Sequence, residues 1–211
     1  AYTVTGGGTY CLGGDGVAVG LSNSQTGVTY QLKKDGIATG STLSGSTGVA
    51  LDFGKQTAVG TYTISATSSG NCVGNMTGSV IIATANPPSI TLQPLAQSIC
   101  MMQSADFSVT ADHAVSYQWQ EDAGSGFLDI AGKNLSSCEI ATTDLSKNGY
   151  SYRVIVSGDA ACSTVTSNSV SLTVNNCSDL TLNTSLNQTS VCQGSQTTYT
   201  VSVTNISTLS V

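Results

Sequence analysis

An all-β chain of tandem two-layer sandwiches is predicted here by three observations. Apolar and polar residues alternate with period two in FSVTA, YQWQ, YRVIV, VSLTV and TYTVSV, the pattern of strands buried on one face. Charged residues make up only 9% of the chain while Ser, Thr, Gly, Asn and Gln dominate, the usage of β-proteins whose solvent-facing strand positions are Thr and Ser. The sequence also repeats on its cysteines, with 89 residues from Cys11 to Cys100 and 92 from Cys100 to Cys192.

Each of those cysteines opens a strand after a short turn, in TYCLGGDGVAVGL, SICMMQSADFSVTA and SVCQGSQTTYTVSV. A second cysteine follows at a matching offset, Cys72 after 61 residues and Cys162 after 62. Tyr62 and Tyr152 stand ten residues before them, and YQL at 30–32 corresponds to YQW at 117–119. The period is too long for a solenoid and close to the roughly 100 residues of an immunoglobulin-like sandwich. The predicted organisation is therefore one immunoglobulin-like module over 1–85, a second over 86–176, and the first strands of an incomplete third over 177–211.

Along the chain, the glycine-rich stretch GGGTYCLGGDG at 6–16 comes first. It lacks the third glycine of a dinucleotide fingerprint and the Gly-Lys-Ser/Thr ending of a P-loop, so its glycines serve backbone geometry. In KKDGIA, Asp35-Gly36 supplies the positive φ angles of a tight hairpin. GTYTISAT and MTGSVIIAT read as the last strands of the first module, and Asn86-Pro87-Pro88 as a stiff linker. In the second module FSVTA, YQWQ, a strand holding Cys138 and Ile140, YSYRVIVS and SNSVSLTV follow. ATTDLSKNGY at 141–150 reads as one helical turn between sheets. After the Asn175–Ser178 junction, DLTLNTSL and TYTVSV give the third module two strands, too few to bury a core. The missing strands are expected from the rest of a longer polypeptide or from a neighbouring chain by strand addition.

Three side chains are expected in the cores. Trp119, the one tryptophan, lies where such sandwiches bury one, and Tyr62 and Tyr152 match the tyrosine-corner position, whose hydroxyl caps a crossover loop. The two positions that an antibody domain joins by a disulfide read Phe107 or Val109 and Val154, so apolar packing replaces it. From the matched offsets, disulfides are expected between Cys11 and Cys72 and between Cys100 and Cys162. Cys138 is expected as a small buried apolar residue. Cys177 either pairs with Cys192 or stays free or intermolecular, and Cys192 otherwise finds its partner about 62 residues further on, by the same offset.

Several functions are excluded or left without a motif. A net charge of −6 with six basic residues lacks the electrostatic footprint of nucleic-acid binding and disfavours anionic membranes. SVIIATA, the longest apolar run, falls far short of the roughly 20 residues of a membrane span. The first residues lack a signal peptide's basic and apolar regions, which reads as a mature, processed or internal start. Seven cysteines point to an oxidising compartment. His113 has no second histidine or cysteine at metal-ligand spacing, no G-x-S-x-G elbow is present, and no catalytic, metal or cofactor residue is assigned. Asp15 and Asp35 read as turn residues; Asp106, Asp112, Glu121, Asp122 and Asp129 form no EF-hand, with a calcium site between modules as the alternative. Sequons at Asn75, Asn134, Asn187 and Asn205 carry little weight in a chain so rich in Asn, Ser and Thr.

The string YTVTGGGTYCLGGDGVAVGLSNSQTGVTYQLKKDG, with GTYTISAT and NCVGNMTGSV, resembles the repeats of very large cell-surface adhesins of gliding Bacteroidota-type bacteria. YQWQEDAGSGFLDI, NGYSYRVIVSG and TSNSVSLTV are similar to the immunoglobulin-like repeats that accompany them, and DLTLNTSLNQTSVCQGSQTTYTVSVTN to the start of a repeat of bacterial surface proteins. The resemblance implies type IX secretion, an extracellular place on the cell surface, and a structural role in a stalk or filament for adhesion or gliding motility. The expected partners are neighbouring modules of the same long chain, with surface polysaccharide or identical chains beyond them. The alternative is a carbohydrate-binding accessory module of a secreted polysaccharide-degrading enzyme. A sugar platform needs an exposed flat ring, and only Tyr2, Tyr10 and Tyr150 are left to supply one. An enzyme is not expected.

Overall fold

The computed structural model describes residues 1–141, 143–177, 181–184 and 201–204. The chain is all-β, with two immunoglobulin-like sandwiches in tandem. In the first repeat the strands are β1 (Val4–Gly6), β2 (Gly8–Cys11), β3 (Val17–Leu21), β4 (Val28–Lys34), β5 (Ile37–Ala38), β6 (Leu43–Ser44), β7 (Leu51–Gln56), β8 (Gly60–Ser68), β9 (Val73–Asn75) and β10 (Val80–Ala85). One sheet has the order β1-β3-β7 and the other β2-β10-β8-β4-β5, with β6 against β4 and β9 against β8. Alternation drives the pairing. Tyr30 and Leu32 of β4 and Tyr62 and Ile64 of β8 all point inward and are buried, while Thr29, Thr61 and Thr63 between them face outward or sit half-covered.

Gly6 and Gly7 explain how the chain leaves one sheet for the other. Their φ angles are +89° and +74°, and a Cβ on Gly6 would lie 2.1 Å from the Ala18 carbonyl oxygen. Only glycine fits, so the chain turns there from β1 to β2. Asp35 (φ 50°) and Gly36 (φ 83°) make the tight β4–β5 turn, with Lys34 opposite Ile37.

The second repeat follows the same plan with β11 (Ser89–Leu92), β12 (Gln97–Cys100), β13 (Ala105–Ser108), β14 (Thr110–Asp112), β15 (Ser116–Asp122), β16 (Leu128–Asp129), β17 (Ser137–Ile140), β18 (Ser151–Ser157), β19 (Val165–Thr166) and β20 (Val170–Asn175). One sheet has the order β12-β20-β18-β15-β16, with β19 against β18, and the facing strands pair as β11 with β14 and β13 with β17. The helical turn between sheets is a 3-10 turn at Leu145–Lys147, capped by Asp144 through the Ser146 N–H. From the third module, β21 (Thr181–Thr184) and β22 (Val201–Thr204) pair antiparallel; Cys192 lies outside the described residues.

By contact the chain forms two compact units that do not follow the sequence modules. The first comprises Ala1–Leu92 together with Thr110–Tyr117 and Ile155–Ser167, and the second Gln93–Val109, Gln118–Val154 and Asn168–Val211. The core of the second holds Phe107, stacked on Tyr152 at 4.7 Å between ring centroids and tilted against Trp119 at 6.2 Å. These rings occupy the place of the antibody-type disulfide, and Val154 is buried with them. Trp119 Nε1–H donates to the Leu135 carbonyl at 2.9 Å, so no polar atom of the buried indole is stranded.

Candidate functional site: the strand-end cysteines

In both repeats the second strand pairs parallel with the last one. β2 lies on β10 with Cys11 opposite Ala85, and β12 lies on β20 with Cys100 opposite Asn175. That parallel register overturns both disulfides expected from the matched offsets. Cys72 lies in the β8–β9 hairpin, beyond Ser68 at the far end of β8, whereas Cys11 sits beyond the Gly60 end of the same sheet. At about 3.3 Å per residue the two are on the order of 30 Å apart, against the roughly 4.4–6.8 Å between Cα atoms that a disulfide spans. The register of β12, β20 and β18 separates Cys100 from Cys162 in the same way. The constant offsets of 61 and 62 residues record the repeat, not proximity.

The structure joins Cys11 to Cys162, across 151 residues, with Cα atoms 4.9 Å apart. It joins Cys100 to Cys177, across 77 residues, with Cα atoms 5.4 Å apart. The second bond follows from the sheet: Cys100 faces Asn175, and Cys177 is two residues further along. The corresponding residue in the first repeat, two beyond Ala85, is Pro87. Cys11 has no such neighbour and takes Cys162, which lies within the same compact unit. Cys72 and Cys138 are free, the first exposed and the second buried opposite Phe107 on β17. Burial pushes the Cys138 thiol up to about 11, so it stays protonated and inert at neutral pH.

The two tyrosines that the sequence equates behave differently. The Tyr62 hydroxyl donates to the Ala58 carbonyl at 2.8 Å, four residues upstream, which is the tyrosine-corner bond. Tyr152 is equally buried, but its hydroxyl turns to the Glu121 carboxylate at 3.5 Å, and Lys147 pairs with the same carboxylate at 2.8 Å. Burial, with that carboxylate nearby, raises the Tyr152 phenol well above its ordinary value. Sequence spacing located both rings; it had no means of seeing Glu121, supplied by a different strand.

The remaining candidates are turn chemistry. His113 is exposed in a left-handed turn (φ 54°), with Nε2 3.3 Å from Asn86 Nδ2. Asp122 accepts the Gly124 and Gly126 N–H groups at 2.6 and 2.9 Å, which holds its carboxyl below the usual range. Asp15 reaches Lys55, Asp129 accepts from Gln120, and Asp35 accepts from Lys34 and from the Thr61 N–H. Among the described residues no three His, Cys, Asp or Glu side chains cluster as metal ligands.

Open clefts lie in the first unit. One, of about 550 Å³, is lined by neutral hydroxyl and amide side chains including Thr26, Thr29, Ser44, Thr67 and Asn71. Another, of about 320 Å³, brings Cys72 beside Tyr2, Tyr30 and Met76. The three tyrosines left for a sugar platform are engaged: Tyr2 packs on the first core, the Tyr10 hydroxyl donates to the Thr57 carbonyl, and the Lys147 ammonium sits 4.8 Å over the Tyr150 ring.

Sheets ordered in this way, with a tyrosine corner and an inward tryptophan, define a protein of tandem immunoglobulin-like domains. Residues 91–176 match the model of a domain of unknown function, DUF8696. Immunoglobulin domains 1–4 of Sidekick-1 superpose with a TM-score of 0.54 at 16% identity, covering 83% of this chain and 48% of that one. The N-terminal eight immunoglobulin domains of Down Syndrome Cell Adhesion Molecule give 0.50 at 15%, covering 82% and 25%. An I-band fragment of titin gives 0.48 at 13%, covering 82% and 65%. At such identities the first two likenesses establish the fold alone. No curated protein matches the chain.

Proposed function

We propose that this chain is a tension-bearing segment of a secreted bacterial cell-surface adhesin, a non-enzymatic stretch of stalk or filament serving adhesion or gliding. One observation carries the reading: the Cys11–Cys162 bond, which closes 151 residues of two successive repeats into one covalent loop. A pull on the two termini passes from Cys11 straight to Cys162, so only residues 1–11 and 162–211 lie on the stretched path. The Cys100–Cys177 loop interlaces with it, since Cys100 falls inside the first loop and Cys177 outside. A catalytic scaffold gains little from such a shortcut; a stalk under shear uses it to take residues 12–161 off the load path.

The cysteine usage and the two disulfides support an extracellular site. The motif resemblance of 1–85 supports a bacterial surface adhesin delivered by type IX secretion, with neighbouring modules of the same chain as its first partners and surface polysaccharide or identical chains beyond them. The engagement of Tyr2, Tyr10 and Tyr150 weighs against the carbohydrate-binding alternative. Single-molecule pulling from the termini tests the reading. At about 3.5 Å per extended residue the oxidised chain should reach about 210 Å, and after reduction about 740 Å. Full extension without reductant would overturn it.

A further inference from the structure

Cys72 stands in the first repeat where Cys162 stands in the second. Each lies ten residues beyond a fully buried tyrosine, Tyr62 or Tyr152, and each sits in the hairpin that closes the central strand of its sheet, β8 with β9 and β18 with β19. In the second repeat this position is bonded to Cys11, the last residue of β2 in the repeat before it. In the first repeat the same position holds an exposed free thiol beside a cleft of about 320 Å³ walled by Tyr2, Tyr30 and Met76. The duplicated fold thus shows what the position does when its partner is present, and the cleft leaves room beside it for an incoming strand end.

We propose that Cys72 is the attachment point for a preceding immunoglobulin-like repeat of a longer polypeptide, through a disulfide to the cysteine that ends that repeat's β2-like strand. The donor must come from another repeat, because both strand-end cysteines described here, Cys11 and Cys100, are already bonded. In forming the link, two S–H bonds break and one S–S bond forms. The two electrons and two protons pass to an extracytoplasmic protein disulfide, which leaves as a dithiol. The proposal rests on the tandem-stalk reading, extending to the previous junction the bond that links these two repeats.

The test is a non-reducing peptide map of the protein released from its native source after alkylation of free thiols. The Cys72 peptide is expected joined to a cysteine peptide absent from residues 1–211, in which the cysteine follows a short alternating segment like GTYC or QSIC. A Cys72→Ser version of the same protein should lose that pair and keep Cys11–Cys162. An alkylated Cys72, a Cys72–Cys192 pair or a Cys72–Cys72 dimer would each overturn the proposal. If any of these appears with Cys11–Cys162 intact, the attachment idea fails while the stalk reading stands; loss of Cys11–Cys162 itself would bring down both.

Discussion

At position 138 a thiol is held in an apolar core opposite Phe107, and its consequences are measurable. Alkylation of the isolated 211-residue chain, where Cys72 is exposed and free, should modify Cys72 rapidly and Cys138 only after unfolding. Because burial raises the Cys138 thiol from 9.0 to about 11, the folded state keeps its proton where the unfolded chain has lost it. That contribution is complete below pH 9 and disappears as the pH climbs towards 11. A Cys138→Val variant should therefore lose less stability than the wild type between pH 9 and 11 in urea denaturation; parallel curves would refute the burial. The two tyrosines give a second comparison. Tyr62→Phe removes a 2.8 Å bond to a backbone carbonyl and should cost about 1 kcal/mol. Tyr152→Phe removes only a long contact to Glu121 and should cost less, although both rings are equally buried. The burial of these rings was legible from period-two spacing, whereas the partners of their hydroxyls were not, since those come from loops and strands that spacing does not order.

Among the elements, the strands themselves were written in the alternation, and so was the Asp35-Gly36 turn, because turn chemistry is local. What alternation cannot encode is which strand lies beside which and in what direction. The parallel placement of β2 on β10 depends on the chain crossing between sheets at Gly6 and Gly7, and it decides at which end of the sheet Cys11 emerges. The crossover can be probed directly. Gly6→Ala puts a Cβ 2.1 Å from the Ala18 carbonyl oxygen at a φ of +89°, and should destabilise the first repeat by about 2 kcal/mol or more. Gly74→Ala, with no atom within 4 Å of the new Cβ and no positive φ, should stay within about 0.5 kcal/mol of wild type. Equal effects of the two substitutions, measured by chemical denaturation, would remove the steric account of the crossover.

For the whole molecule, the equal cysteine offsets of 61 and 62 residues invited a closed pair in each repeat, and the fold instead uses the same positions to bridge successive repeats or to meet a cysteine past the last strand. Cys72 stays unpaired with Cys11 by the same logic, since a strand-end cysteine and a hairpin cysteine in one repeat face opposite ends of their sheet. On the chain-entropy model, loops of 151 and 77 residues are worth about 5 and about 4.5 kcal/mol at most, so losing either bond should lower the unfolding midpoint markedly. The connectivity is open to direct measurement by proteolysis of the oxidised, alkylated chain without reductant and mass analysis of the linked peptides. The expected species join the Cys11 peptide to the Cys162 peptide and the Cys100 peptide to the Cys177 peptide. Cys11 joined to Cys72 with Cys100 joined to Cys162 would contradict the parallel register and the covalent shortcut together.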